Sequence, residues 1–319
     1  MATLLRLTVG CGAYDHTRDL LTGAVASERL ALRFEEDEPE VLFRRLDDGA
    51  FDVGECSLAR YVAGYDRGRR DLVAIPVFPS RVLRQSSVYV AATSTLHDPE
   101  ALAGCRVGIP EWVQTAGVWA RGWLADDVGV PLTSIHWVQG GVDQPGRRES
   151  MALDLPLDLV LEPVPHHALD DLLLVGRIDA IVSARPPGSF TTGESRRLLR
   201  DWRSVEAASV ADGGPFPIMH VLVVRRALVD EHPWLASELF QLFDAARHRS
   251  VARMHDHTAS RAPVPWLAHH ADDTVATFGA DPFEYGLGEA NRRALRRFAA
   301  LCRAQWTIGA EPTVDELFA

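Results

Sequence analysis

The sequence contains no lysine, and all 33 of its basic side chains are arginine. Without a lysine amine the chain cannot form the Schiff base that pyridoxal enzymes and imine-forming decarboxylases require. Cysteine is scarce too. Cys11, Cys56, Cys105 and Cys302 are far apart, with no C-x-x-C pair, so the spacing of a zinc ribbon or disulfide framework is missing and the four read as free thiols in a reducing compartment. No apolar run reaches the roughly 20 residues that span a bilayer. The stretch from Met1 to Val9 has no basic start, long apolar core or small-residue cleavage site. No membrane association is expected, and the expected address is the cytoplasm. Acidic residues number 44, which leaves a net charge of -11 with no arginine-rich run, a poor footing for nucleic acid. H-E-x-x-H, a Walker loop and G-x-G-x-x-G are all absent. His166-His167, His255-x-His257 and His269-His270 are too closely spaced to share one face of a helix as metal ligands. No metal or organic cofactor is therefore expected, although a divalent ion bridging substrate hydroxyls would leave no trace in sequence.

What is present is an alternation of strands and helices over 319 residues, 47% of them hydrophobic. That length suffices for two lobes, each with its own core. Leu5 to Gly10, Leu30 to Glu35 and Phe51 to Glu55 read as strands, separated by helical stretches near Asp15 to Leu21 and Pro39 to Leu46. Ser57 can cap a helix from Leu58 to Tyr65. This β-α-β-α rhythm implies a largely parallel sheet. Strands from Val73 to Phe78 and Ser86 to Ala92 complete the series. A second one follows: strands at Cys105 to Ile109, Ile135 to Val138 and Asp179 to Ser183, with helices at Thr115 to Asp126 and Ala168 to Val175. Phe216 to Val224 is a late apolar strand, and helices are expected at Trp234 to Arg253, Ala268 to Phe278 and Glu289 to Trp306. The expected plan is an α/β protein with one lobe from 1–90 and 216–319 and an inserted lobe from 91–215. Ligands of such sheets sit beyond the carboxyl ends of the strands, here in a cleft between lobes.

Residues at those strand ends favour anions. Arg81 and Arg84 follow the broken strand Ile75-Pro-Val-Phe-Pro-Ser80, and Arg147 and Arg185 lie in loops rich in Gly or Pro. Arginine forks match carboxylates in bidentate fashion, although any single arginine is more often an ordinary ion-pair partner. Tyr14, Ser57, Thr115 and Gln85 could add polar contacts, with helix N-termini at Ser57 and Thr115 supplying N–H donors. Trp112, Trp119 and Trp137 read as packing, as do Cys11 and Cys56.

Several runs together resemble the 4,5-dihydroxyphthalate decarboxylase family. They include Cys11-Gly-Ala-Tyr-Asp15, Phe51-Asp-Val-Gly-Glu-Cys-Ser-Leu58, Ile75-Pro-Val-Phe-Pro-Ser-Arg81, Trp137-Val-Gln-Gly-Gly141 and Gln144-Pro-Gly-Arg147. Further on come Phe216-Pro-Ile-Met-His220, His232-Pro-Trp234, Pro282-Phe-Glu-Tyr-Gly-Leu287 and Asn291-Arg292. The resemblance runs nearly end to end and implies a two-lobe fold like that of type 2 periplasmic solute-binding proteins. It also implies loss of carbon dioxide from an electron-rich aromatic diacid, giving protocatechuate. That chemistry needs an acid for the ring carbon, a polar partner for the phenol and a cationic clamp for the second carboxylate. His220, which interrupts an apolar strand, is the expected acid, and Glu55 the group that orients it or takes a phenolic proton. A core histidine and a carboxylate that caps a helix are the competing readings of the same two residues. Arg81, Arg84, Arg147 and Arg185 are the clamp candidates.

One departure stands out, because the family pattern carries histidine where this chain has Gln85. It keeps open a different lyase, such as a dehydratase or a biosynthetic decarboxylase. A solute-binding protein for a small carboxylate would share the fold. The long C-terminal helices could pack on their own lobe or on a second copy in a homo-oligomer.

Overall fold

The computed structural model describes residues 4–319, so the first three residues of the stretch read above for a leader lie outside it. The described residues form eleven strands. They are β1 (Leu5–Gly10), β2 (Leu30–Glu35), β3 (Val53–Ser57), β4 (Leu72–Ile75), β5 (Val88–Ala91), β6 (Arg106–Ile109), β7 (His136–Gly141), β8 (Val160–Ala168), β9 (Ala180–Val182), β10 (Ser195–Arg197) and β11 (His220–Arg225). The chain divides into two compact units. The first holds residues 4–81, 214–295 and 312–319, and the second holds 82–213 and 296–311.

The first unit is built on a five-stranded sheet in the order β2-β1-β3-β11-β4. β1 runs parallel to β2 and β3, as short strand–helix–strand crossovers require. β11 enters from far along the chain and is antiparallel to both β3 and β4, so the sheet is mixed. Val9, Val53, Ala74 and Val223 are completely buried, and burial on this scale contributes about 1.5–3 kcal/mol per large apolar side chain. Ser57 caps the helix Leu58–Asp66 by accepting the Arg60 N–H, which satisfies one of the orphan donors of the first turn.

The second unit holds a six-stranded sheet, β10-β5-β9-β6-β7-β8. Its core joins Val88 and Val90 to Ile109, Trp112 and Trp137. Trp112 and Trp137 meet edge to face at 5.7 Å.

The division differs from the expected boundaries at two places. The crossing falls after Arg81 rather than near 90, because the buried side chains of β5 pack in the second core. Residues 296–311 also belong to the second unit, where the Trp112 indole donates to the Gln305 carbonyl and the Arg121 Nε donates to Gln305 Oε1. Proline explains the strand differences. The expected strand from Val73 ends at Ile75 because Pro76 follows, and the one expected from Phe216 begins only at His220, after Pro215 and Pro217. β8 escaped the sequence reading because it contains Pro163 and Pro165, which it can hold as an edge strand.

Candidate active site

β3 and β11 lie side by side with His220 opposite Ser57 and Leu222 opposite Glu55. Side chains alternate along a strand, so Glu55, Ser57 and His220 share one face. Glu55 is completely buried. His220 Nδ1 donates to Glu55 Oε1 at 2.5 Å, the Tyr14 hydroxyl donates to the same oxygen at 2.7 Å, and the Gly12 N–H donates to Oε2 at 2.8 Å. The Cys11 thiol adds a further hydrogen bond. Burial alone would raise the Glu55 pKa. The charge of His220, with the hydrogen bonds from His220, Tyr14 and Gly12, instead holds it below the ordinary carboxylate value. The carboxylate is thus ionised and fully engaged.

The imidazole is fixed on its other sides as well. Phe43 meets the His220 ring edge to face at 5.1 Å. With Nδ1 committed to Glu55, Nε2 has no hydrogen-bond partner among the described residues, and the side chain keeps 17% of its surface exposed. One nitrogen is anchored and the other is presented.

Tyr14 reaches Glu55 because Gly12 leaves room: a Cβ there would stand 2.9 Å from the tyrosine ring. The ring stacks on His16 at 5.0 Å, and Ser80 hydrogen-bonds the hydroxyl. Burial and the neighbouring Glu55 push the Tyr14 pKa far up, so the side chain stays a phenol. His16 accepts the Tyr285 hydroxyl at Nδ1, 2.9 Å away, and burial lowers its pKa, favouring the neutral ring. Cys11 is likewise kept as a thiol by burial and by Glu55, unlike the activated thiolate of a cysteine nucleophile.

The arginines are distributed differently from the sequence expectation. Arg81 and Arg84 fall in separate units. Arg81 is buried, donating to the carbonyls of Phe216 and Glu284 and to Asn291 Oδ1, with only Nε unpartnered. Its terminal nitrogens therefore tie three distant segments of the first unit together. In the second unit, Arg84 donates to the Ala184 carbonyl just beyond β9 at 3.3 Å. Burial brings the Arg84 pKa down to about 10, and Arg185 is exposed. Arg147 pairs with Glu111 at 2.7 Å. Thr115 is buried in the first turn of the helix Thr115–Asp126. Gln85 is engaged at both ends, accepting the Arg84 N–H and donating to Ser209, each at 3.1 Å.

The structure therefore gathers Glu55, Ser57 and His220 on one sheet face, with Tyr14 reaching Glu55 from the loop after β1. Arg81 shares the unit of the Glu55–His220 pair but gives its guanidinium to Phe216, Glu284 and Asn291, whereas Arg147, Thr115 and Gln85 belong to the other unit. Gly12, His16, Phe43 and Tyr285 were missed. The run from Gly10 to His16, where a strand ends in glycines and then offers two rings, was the one local signal for part of this set.

Two α/β units with mixed sheets and a long C-terminal helical region define the periplasmic-binding-protein-like class. Solved structures agree. The alkanesulfonate-binding protein SsuA from Xanthomonas axonopodis pv. citri matches with a TM-score of 0.57 at 14% identity, covering 100% of this chain and 99% of that one. The desulfurization enzyme DSZB matches with a TM-score of 0.57 at 15% identity, covering 98% and 96%. Identities this low show the fold alone.

Sequence relatives are more specific. The 4,5-dihydroxyphthalate decarboxylase of Comamonas testosteroni is 33% identical over 318 residues, 98% of this chain and 96% of that protein. The enzyme of the same name from Pseudomonas putida is 34% identical over 201 residues, covering 62% of this chain and 78% of its own length. No family model matches the chain. The chain belongs to the 4,5-dihydroxyphthalate decarboxylase family.

Proposed function

We propose that this chain is a carboxy-lyase that converts 4,5-dihydroxyphthalate to protocatechuate and carbon dioxide, with His220 as the proton donor to carbon and Glu55 as the group that holds it. The relatives named above support the reaction. The observation that carries the assignment is the 2.5 Å contact between His220 Nδ1 and buried Glu55, which leaves Nε2 as the presented nitrogen.

Direct loss of carbon dioxide would leave an aryl carbanion with no electron sink. In the diacid, the carbon that bears the departing carboxylate lies para to a hydroxyl. Electron density from that oxygen, which gives its proton to solvent and takes one back once carbon dioxide has left, moves into the ring as Nε2–H of the imidazolium adds its proton to the ring carbon. The resulting dienone carries both hydrogen and carboxylate on one tetrahedral carbon. Breaking its bond to the carboxylate returns the electron pair to the ring and the oxygen, restoring aromaticity and releasing carbon dioxide. The balance is one proton gained for one carbon dioxide lost, and the imidazole regains its proton from solvent. Ionised Glu55 stabilises the imidazolium before transfer, and the phenolic Tyr14 holds that carboxylate in place.

The second carboxylate needs a cation, and Arg81, Arg84, Arg147 and Arg185 are the candidates for it. Arg81, Arg84 and Arg147 each also contact a protein acceptor. Gln85 takes part in the packing of its own unit, so its replacement of the family's histidine leaves the Glu55–His220 pair intact. The mechanism calls for no organic cofactor and no metal. We place the reaction in the cytoplasm, in keeping with the free thiols of Cys11, Cys56, Cys105 and Cys302. Among the described residues no helix is long and apolar enough to cross a membrane.

The assay is direct. Metal-stripped protein incubated with 4,5-dihydroxyphthalate is expected to release carbon dioxide and protocatechuate in equal amounts. Tight binding without turnover would instead point to a solute-binding protein.

A further inference from the structure

The first unit contains a cavity of ≈ 360 Å³ between the helices Leu235–Met254 and Leu267–Phe278. This volume falls within the range of about 300–1,000 Å³ typical of small-molecule sites. Val251 and Met254 line it from the first helix, Ala271 and Val275 from the second, and Phe78 and Phe283 from loops. The apolar side of the second helix faces this space, and of that helix only Ala268 is buried.

The arginine on the cavity wall is already paired. Arg247, its guanidinium, binds both oxygens of Asp281 at 2.9 and 2.7 Å and Asp244 at 3.0 Å. His255 is paired with Asp272. A carboxylate ligand would find no uncommitted arginine there and would face Asp281, so the dianionic substrate is a poor guest. A neutral ring suits the site better, since Phe78, Phe283, Tyr285 and His16 offer aromatic edges and faces.

Neither Tyr14, Glu55 nor His220 lines the cavity. His16 and Tyr285 do, and they form its common wall with the active site. The Tyr285 hydroxyl donates to His16, the His16 ring stacks on Tyr14, and the Tyr14 hydroxyl donates to Glu55. Three contacts therefore lead from the cavity to the carboxylate that holds the proposed acid.

We propose that this cavity is a second binding site, for one uncharged single-ring phenol, and that its occupancy acts on the Glu55–His220 pair through Tyr285, His16 and Tyr14. The kinetic half of the proposal rests on the decarboxylase reading, whereas the binding half is independent of it.

Calorimetric titration of the full-length protein with catechol, and with benzoate as the charged comparator, tests the binding half. One catechol should bind per chain, with benzoate at least about tenfold weaker. Val275→Trp and Ala271→Phe, which fill the cavity from the same helix, should each weaken catechol at least about tenfold while melting temperature and far-ultraviolet circular dichroism stay within the wild-type range. No catechol binding, or wild-type affinity in both filled and folded variants, would overturn the site. In the decarboxylation assay, bound catechol should change kcat by more than about twofold in wild type and not in the filled variants. Purely competitive inhibition would place catechol at the active site and overturn the proposal, and binding with unchanged kinetics would overturn the coupling. Failure of decarboxylation itself would leave the calorimetric result intact and count against the proposed function alone.

Discussion

Among the described residues, two carboxylate–imidazole pairs lie on neighbouring strands, and they differ in burial and in the nitrogen they engage. In the second unit, His136 on β7 meets Glu162 on β8 at 2.8 Å, with side chains 34% and 43% exposed. In the first, His220 meets Glu55 at 2.5 Å, with exposures of 17% and 0%. The nitrogens differ as well. His136 spends Nε2 on Glu162, and Arg106 lies within 3.4 Å of both ring nitrogens, whereas His220 spends Nδ1 and has no partner for Nε2 among the described residues. Glu162 is held below the ordinary carboxylate pKa chiefly by its hydrogen bond from Arg106, a solvent-screened surface contact. Glu55 has no arginine and relies on the charge of His220, with hydrogen bonds from His220, Tyr14 and Gly12, around a dry carboxylate. A short contact between the same two residue types thus says little until burial and the second nitrogen are known.

Removing each carboxylate should expose the largest difference. Glu55→Ala strips Tyr14, Gly12 and His220 of a common acceptor and is expected to cost about 3–5 kcal/mol in urea unfolding, as for a buried pair that loses one partner. Glu162→Ala should cost no more than about 1 kcal/mol. Equal costs would erase the distinction.

Acid provides the next contrast. The folded pKa of Glu55 lies below its unfolded value, which is near the ordinary glutamate value of about 4.3. Its contribution to stability is therefore complete above that pH and is lost as pH falls through the depressed folded value. Unfolding free energy measured from pH 6 downward should fall less steeply for Glu55→Gln than for wild type. Glu162→Gln should follow the wild-type slope closely, since its exposed contact is screened. A wild-type slope in Glu55→Gln would contradict the ionised, donor-saturated carboxylate.

Tyr14→Phe sharpens the comparison with the smallest change. It removes one hydrogen bond to a charged group, about 1.5 kcal/mol, while preserving the ring that stacks on His16. The expected result is a fall in kcat of about tenfold with little change in KM, because the carboxylate loses a support but the substrate loses no clamp.

Much of the first unit was legible before the structure. Leu5 to Gly10 and Leu30 to Glu35 read as strands from their apolar runs, and Ser57 announced its helix as a cap. Glu55 and His220 stood out because each places an ionisable group within a buried strand. What could not be read was their adjacency. β11 reaches β3 across more than 160 residues of chain, and antiparallel insertion between β3 and β4 leaves no local mark. Arg81 shows the same limit, since its run looks the same whether the guanidinium grips a ligand or, as here, the carbonyls of Phe216 and Glu284 and the side chain of Asn291. β8 was hidden because proline argues against a strand unless the strand is known to be an edge. The boundary near 90 was misplaced because the sequence shows that Val88 and Val90 are buried without showing in which core.

The proposed reaction turns on a proton delivered from His220. Its most direct test is single-turnover release of carbon dioxide from 4,5-dihydroxyphthalate by wild type and by His220→Ala, with substrate binding measured in parallel. Loss of a positioned general acid is expected to slow release by about 10²–10⁴-fold while the diacid still binds. Release by His220→Ala at the wild-type rate would contradict it.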